Sequence, residues 1–274
     1  MGIHAEEFRF VADLIRAEAA IVLDVGKEYL VETRLGPLAH QLGLGSISAL
    51  VAELRTRCNP ALLTRVVDSM TTNETSFFRD VQPFEHLKRK VFPELIERRR
   101  AQKKLSIWCA AASSGQEPYS MAMLLRECFP ELAGWRVEFV ATDISTQVLA
   151  KAREGIYSQL EVNRGLPAPL LVKYFRKHGL EWQVDASLRS MIQWREFNLA
   201  SKTFPPMGPF DLIMLRNVMI YFDVPTKRSI LGNMRRVLRP DGYLFLGTAE
   251  TTINVDDNFA SDTFHTACYR LKAA

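Results

Sequence analysis

The sequence predicts an α/β protein: a parallel sheet covered by helices, preceded by an all-α domain and interrupted by a small antiparallel β-subdomain. Three patterns carry this expectation. Apolar residues recur at spacings of three and four from Glu6 to Ser69, with no alternating run. From Leu105 onward, short apolar runs alternate with small-residue loops and helical stretches. Between Glu154 and Pro209 that repeat is broken by runs of strand character. The expected divisions are 1–70 for the helical domain, 71–104 for a linker and helix, and 105–274 for the sheet domain, with the β-subdomain at about 155–192.

In the first block Phe8, Val11 and Ile15, then Leu30, Leu35, Leu38 and Leu42, then Leu50 and Leu54, then Leu62, Leu63, Val66 and Val67 mark four short helices. Gly26, Gly43, Gly45 and Pro60 punctuate them. The next helical run has Pro83 near its start and Pro93 inside, and the second proline should kink or split it. Leu105 to Ala110 reads as a buried strand, Ala111 to Glu117 as its loop, and Pro118 to Cys128 as a helix with proline in its first turn. Val137 to Thr142 is the second strand, ending at Asp143 ahead of a helix around Ser145 to Arg153. Phe210 to Leu215 is the third, followed by a helix over Thr226 to Leu238, a turn at Arg239-Pro-Asp-Gly, and a strand over Tyr243 to Leu246. In the insertion, Leu180 to Val184 and Leu188 to Trp194, joined by Asp185-Ala-Ser, read as a hairpin whose second strand runs on toward the main sheet as Trp194 to Leu199. Ligands on parallel sheets bind outside the carboxyl ends of the strands, so the chemistry is expected there.

Composition narrows the partners. With 47% hydrophobic and 24% charged residues over 274, the chain is neither a disordered tail nor a disulfide miniprotein. A formal charge of +4 is too small to demand nucleic acid or a membrane. No apolar run approaches a membrane span, and His4, Glu6, Glu7 and Arg9 are unlike a signal peptide, so a cytoplasmic location without membrane insertion is expected. Cys58, Cys109, Cys128 and Cys268 form no close pair and have no histidine at zinc spacing; no metal is expected, and Cys109 and Cys268 read as buried thiols.

The first strand-to-helix loop, Ala111-Ala-Ser-Ser-Gly-Gln-Glu117, has small residues but one glycine, which gives close backbone approach without a pyrophosphate cradle. A plain tight turn fits it equally. Asp143, at the end of the second strand, is placed to accept both hydroxyls of a ribose, or is simply solvated. A nucleoside without phosphates satisfies both features, and S-adenosylmethionine is such a ligand. The third strand leaves through Arg216-Asn217-Val-Met-Ile-Tyr221, which sets Asn217 and Tyr221 over a sulfonium or, on the other reading, sets Tyr221 at an ordinary amphipathic edge. Thr71 and Glu74 match a helix capping box, yet the same stretch to Arg79 lies at a domain junction where a cleft would form.

Five motifs in order, Thr-Thr-Asn-Glu-Thr-Ser-Phe-Phe-Arg (71–79), Ala-Ala-Ser-Ser-Gly-Gln-Glu-Pro-Tyr-Ser (111–120), Ala-Thr-Asp-Ile-Ser (141–145), Arg-Asn-Val-Met-Ile-Tyr-Phe (216–222) and Leu-Gly-Thr-Ala-Glu (246–250), closely resemble the CheR family of chemotaxis receptor methyltransferases. The resemblance implies a Rossmann-like class I S-adenosylmethionine methyltransferase sheet that esterifies glutamates on the cytoplasmic domains of methyl-accepting chemotaxis receptors, with S-adenosylhomocysteine as product. Carried over by position, it implies a cofactor pocket of Asn73, Thr75, Arg79, Glu117, Asp143, Asn198, Leu199, Arg216 and Asn217, with Arg79 and Tyr221 nearest the transferred methyl. Family members carry an arginine-rich second helix for gripping the receptor, whereas here Arg34 is followed by Leu35-Gly-Pro-Leu-Ala-His40. Some members also pair the insertion's edge strand with a pentapeptide tethered to the receptor; here the connection after His178 is the single Gly179, so recognition without the tether is expected.

A glutamate, with an ordinary pKa near 4.3, is already a nucleophile at neutral pH and needs no general base. Its attack on a sulfonium methyl cancels two charges, so water exclusion and alignment should dominate, with Arg79 positioning a carboxylate and Tyr221 orienting the methyl. For receptor docking, Lys27, Arg34, Arg55, Arg57 and Arg65 would have to gather on one face. Two other classes share the fold. A nucleic-acid methyltransferase would present Lys88-Arg-Lys90, Arg98-Arg-Arg100 and Lys103-Lys104, though it would favour an Asn-Pro-Pro-Tyr turn where this chain has Arg-Asn-Val-Met. A non-catalytic signalling module is the second.

Overall fold

The computed structural model describes residues 2–57, 59–262 and 267–272. It begins with helices α1 (Ala5–Ala19), α2 (Glu28–Gln41), α3 (Ile47–Arg57) and α4 (Pro60–Met70). Phe8, Val11, Ile15, Val31, Leu35, Leu38, Leu50, Leu54, Leu62 and Val66 close on one another as a separate core, which is what spacings of three and four on one helix face require. Asn59 caps α4 by accepting from the Leu62 N–H.

No helix starts at Thr71. Its backbone is extended, its hydroxyl donates to the Asp68 carbonyl, and residues 72–76 continue without helix. The expected capping box is therefore not formed, because the groups it needs are taken: the Glu74 carboxylate pairs with Arg164, and the Thr71 N–H donates to the Val67 carbonyl. The proline-bearing run stays helical from Val81 to Arg99 and changes winding before Pro93 rather than breaking. It forms α5 (Val81–His86), a π-helical turn over Leu87–Val91 and α6 (Phe92–Arg99). Pro93 has no N–H for the preceding turn, and just before it the Phe92 N–H reaches back to the Leu87 carbonyl.

Next come β1 (Lys104–Ala110), α7 (Gln116–Cys128), β2 (Arg136–Asp143) and α8 (Thr146–Glu154), then the insertion with β3 (Ile156–Tyr157), α9 (Gln159–Asn163), α10 (Ala168–Tyr174), β4 (Phe175–His178), β5 (Glu181–Val184) and α11 (Ala186–Arg189). The chain returns as β6 (Ile192–Glu196), β7 (Phe210–Leu215), α12 (Val224–Val237), β8 (Leu238–Leu246), β9 (Phe259–Ser261) and β10 (Cys268–Leu271). The main sheet has the order β6-β2-β1-β7-β8-β10-β9, parallel from β6 to β8 and antiparallel at β10 and β9. Cys109 and Cys268 are buried thiols, and burial pushes the Cys109 thiol well up; Cys58 lies outside the described residues.

Two strand expectations are corrected. The hairpin is β4 with β5, turning at Gly179 and an exposed Leu180. Leu188 to Trp194 is not its partner: Asp185 accepts from the Ser187 N–H and starts α11, after which β6 joins the open edge of β2, Phe139 opposite Ile192 and Asp143 opposite Glu196. Nor is Arg239–Gly242 a turn before the strand. β8 starts at Leu238, opposite Phe210, and the extra residues before Tyr243 bulge out. Asp241 and Arg239 reach from that bulge to Arg99 and Asp211.

The insertion packs on the linker through Gly165, whose φ is +91° and where an added Cβ would lie 2.1 Å from the Phe77 carbonyl oxygen. Backbone cannot yield there as a side-chain tip can. Gly165→Ala is expected to destabilise the protein by about 2 kcal/mol or more in denaturant unfolding; a loss below about 0.5 kcal/mol would show that the two segments are not held this closely.

Candidate active site

A cavity opens at the carboxyl ends of β1, β2, β6 and β7, the position expected of a ligand site on such a sheet. It is lined by all ten residues singled out in the sequence: Asn73, Thr75, Arg79, Glu117, Asp143, Asn198, Leu199, Arg216, Asn217 and Tyr221. Ala19, Ile21, Ser113, Ile144 and Phe197 line it as well. Ser113 and Ile144 lie inside motifs quoted from the sequence, whereas Ala19, Ile21 and Phe197 were missed. Ile21 comes from the link between α1 and α2, tied down where the Val22 N–H donates to the Tyr221 carbonyl, and no local pattern announces that approach.

The first loop is shaped by left-handed backbone at Ala111, Ser113 and Gly115. At Gly115 a Cβ would meet Ala152 and Trp194 at 3.0 Å, so glycine is needed there. Non-glycine residues in this region cost about 1 kcal/mol or more each, and Asp143 helps offset that. One of its oxygens accepts from the Ser113 N–H at 2.8 Å and the other from the Ser145 N–H at 3.0 Å. The Ser113 hydroxyl donates to the Asn73 carbonyl at 2.9 Å and so joins loop to linker. With these bonds made, the Asp143 carboxylate keeps acceptor capacity for a ligand hydroxyl.

Burial pushes the Asp143 carboxyl above its usual range, although backbone N–H groups of Ser145, Ser113 and Ile144 oppose the shift. Hydroxyl donors favour the ionised form, so ligand affinity should fall as pH drops through that raised value. Asp143→Asn is expected to weaken nucleoside binding by about 1.5–3 kcal/mol and to remove this pH dependence in calorimetric titrations. Unchanged affinity would take Asp143 out of the site.

The two arginines differ. Arg216 is buried and engaged: it donates to Glu117 at 2.5 Å, to Asp80 at 2.7 Å and to the Arg79 carbonyl at 3.1 Å. Arg79 makes one side-chain hydrogen bond among the described residues, to the Glu74 carbonyl at 3.0 Å, which leaves donors for a ligand. Asn198 lines the cavity, but its side chain is taken, donating to the Glu18 carbonyl at 2.7 Å and accepting from the Ala200 N–H at 2.9 Å. Asn73 donates to the Thr71 hydroxyl at 3.1 Å. Tyr221 ends a 3₁₀ turn over Met219–Tyr221, next to Phe222 on the cavity wall.

Four of the five cations named for docking have partners close by. Arg34 donates to the Met70 carbonyl at 2.6 Å, the Thr71 carbonyl at 3.2 Å and the Thr72 hydroxyl at 2.9 Å, clamping the linker instead. Lys27 pairs with Asp24, Arg55 with Glu6, and Arg65 donates to Gln41. The basic run has partners too: Arg89 with Glu85, Lys90 with Asp262, Arg98 with Glu94, Arg99 with Asp211 and Asp241, Arg100 with Glu97 and Lys104 with Glu138. Among the described residues no cluster of His, Cys, Asp or Glu could hold a metal ion, and no helix is long and apolar enough to cross a membrane.

A parallel sheet with its cavity at the strand ends, a one-glycine loop and an acidic residue closing the second strand define a class I S-adenosylmethionine methyltransferase. More narrowly, the chain belongs to the CheR methyltransferase family: residues 73–267 match the SAM binding domain of CheR methyltransferase and residues 6–71 its all-alpha domain. It is 41% identical to chemotaxis protein methyltransferase 1 of Pseudomonas aeruginosa, over 92% of this chain and 93% of that protein. It is 40% identical to chemotaxis protein methyltransferase Cher2 of Pseudomonas putida, over 93% and 92%, and 37% to the chemotaxis protein methyltransferase of Salmonella typhimurium, over 92% and 86%. Among solved structures, the glycopeptide N-methyltransferase MtfA complexed with S-adenosylmethionine aligns at 18% identity and a TM-score of 0.34, over 57% of this chain and 52% of its own, too slight an overlap to bear on the site.

The cavity fits S-adenosylmethionine by charge and polarity. Glu117 can take its ammonium and Asp143 its ribose hydroxyls, while Ile21, Ile144, Phe197 and Leu199 offer apolar surface for adenine.

Proposed function

We propose that this chain transfers the methyl group of S-adenosylmethionine to glutamate side chains of chemoreceptor cytoplasmic domains, giving glutamyl methyl esters. The observation that carries the reading is the pairing of an engaged Arg216 with an available Arg79 in a cavity lined, among the described residues, by no histidine or cysteine. Such a site holds and aligns, and a carboxylate nucleophile needs no general base. The bound cofactor supplies an electrophilic methyl group. Arg216 fixes Glu117 against the linker, Glu117 and Asp143 hold the cofactor's cationic and ribose ends, and Arg79 orients a carboxylate at the mouth. Tyr221 and Phe222 with Ile21 exclude water, which favours a reaction in which opposite charges cancel. The relatives' names, chemotaxis protein methyltransferases, support the receptor as substrate. The ion-paired basic helix surface disfavours nucleic acid.

The test is incubation of the full chain with methyl-labelled cofactor and purified receptor cytoplasmic domains. Base-labile label on receptor glutamates is expected; label confined to nucleic acid, or none on any receptor offered, would overturn the reading.

We also propose that receptors are recognised without a tethered pentapeptide. Trp182, beside the edge strand β4, is already covered by the Lys177 ammonium 4.1 Å from its ring and donates to Gln159 at 2.8 Å. Titration with such a pentapeptide should show no binding, and micromolar affinity lost in Trp182→Ala or Arg189→Ala would reverse this.

A further inference from the structure

The motif Leu246-Gly-Thr-Ala-Glu250 follows the last parallel strand, and its glutamate does not line the cavity. Glu250 is nonetheless 7% exposed, and its carboxylate accepts four backbone N–H groups. One oxygen takes Gly247 at 2.6 Å and Asn217 at 2.8 Å; the other takes Met219 at 2.6 Å and Ile220 at 3.3 Å. Three of these donors belong to the segment that leaves β7 and carries Asn217 and Tyr221 into the cavity. That segment is not self-supporting: Asn217 is left-handed at φ 59°, and the first N–H groups of a 3₁₀ turn have no partner within the turn. Gly247 completes the arrangement, since a Cβ there would lie 2.7 Å from both the Glu250 carboxylate and the Asn217 side-chain nitrogen.

We propose that Glu250 is a positioning residue for methyl transfer, holding the 217–221 segment so that Asn217 and Tyr221 present their side chains to the reacting groups. The inference rests on the functional reading above. All four partners are donors, so glutamine, though equal in size, would turn an NH2 group toward at least one of them. A displacement of about 1 Å at a reacting centre can cost about a hundredfold in rate.

The test compares Glu250→Gln with Asp211→Asn, a change to another buried carboxylate, which accepts from the Ser106 N–H at the opposite end of β7. Both are assayed in the full chain at a temperature where both are folded. Glu250→Gln should lower kcat tenfold or more with receptor KM within threefold, and amide exchange at residues 217–220 should quicken at least tenfold. Asp211→Asn should lower Tm and leave kcat within twofold. A Glu250→Gln enzyme with kcat within twofold of the parent, or kcat losses in both variants that follow their Tm losses, would overturn the proposal. Should Glu250→Gln not fold, Gly247→Ala, which pushes the carboxylate aside, must show the same loss of kcat, and normal turnover there would overturn it. A parent chain that methylates no receptor glutamate defeats the functional reading instead, and the exchange rates at 217–220 then decide this inference alone.

Discussion

Arg216→Met should cost the fold about 3 kcal/mol and abolish measurable cofactor binding at concentrations that saturate the parent. The arginine side chain is 1% exposed and stands between two carboxylates, Glu117 at 2.5 Å and Asp80 at 2.7 Å. Removing one member of a buried ion pair typically costs 3–5 kcal/mol, because the remaining charge is stranded without water or partner. Here two charges are stranded. The lower end of that range applies because the Asp80 side chain, 38% exposed, can regain water. In a domain of this size the loss corresponds to a fall in Tm of about 6–12 °C. A second change, Asp80→Asn in the Arg216→Met background, should recover part of the stability, since the two sites share one interaction. A Tm within about 2 °C of the parent would mean that the network does not hold the linker against the first loop.

Arg79→Ala should behave in the opposite way, with stability nearly unchanged and turnover down about a hundredfold, some 2.7 kcal/mol of barrier. Its guanidinium has one internal hydrogen bond, to the Glu74 carbonyl, so little of the fold depends on it. What depends on it is the orientation of a carboxylate at the cavity mouth, where a planar fork gives bidentate recognition that a lysine gives only as a point charge. Arg79→Lys should therefore recover a minor share of the rate. Initial rates at saturating cofactor and receptor, set beside calorimetric cofactor affinities, make the check: the loss must fall mainly on kcat. Equal rates in parent and Arg79→Ala would remove the residue from the reaction.

Much of the architecture was legible because burial leaves a one-dimensional record. The stripe Phe8, Val11, Ile15 has the spacing of a helix face, and the short apolar runs around Ile107 and Ile213 fit strands covered on both sides. The prolines spoke locally as well, Pro93 following a π-helical turn and Pro118 standing in the first turn of α7. Strand pairing was less legible. Arg176, Lys177 and His178 form an exposed edge strand with no apolar alternation, so Phe175–His178 reads as a connector until β5 is seen beside it. Ile192–Glu196 reads as the second arm of a hairpin until the vacant edge of β2 takes it.

The candidate site shows the same division. Residue types, their order and their place at strand ends were fixed by the chain and sufficed for the fold class, and the family resemblance that the motifs carry supplied the list of ten cavity residues. Which of those residues is available was decided by the folded molecule: Arg216 closed between Asp80 and Glu117 while Arg79 stays open, the Asn198 side chain drawn to the Glu18 carbonyl, Arg34 turned onto the linker rather than toward a partner. Glu250 acquired its four N–H partners only when the ends of β7 and β8 came together. The physical reason is range. Hydrophobic periodicity and backbone preference act between residues three or four apart and are written along the sequence, whereas a polar side chain bonds to whatever donor or acceptor the fold brings within about 3 Å, from any distance along the chain.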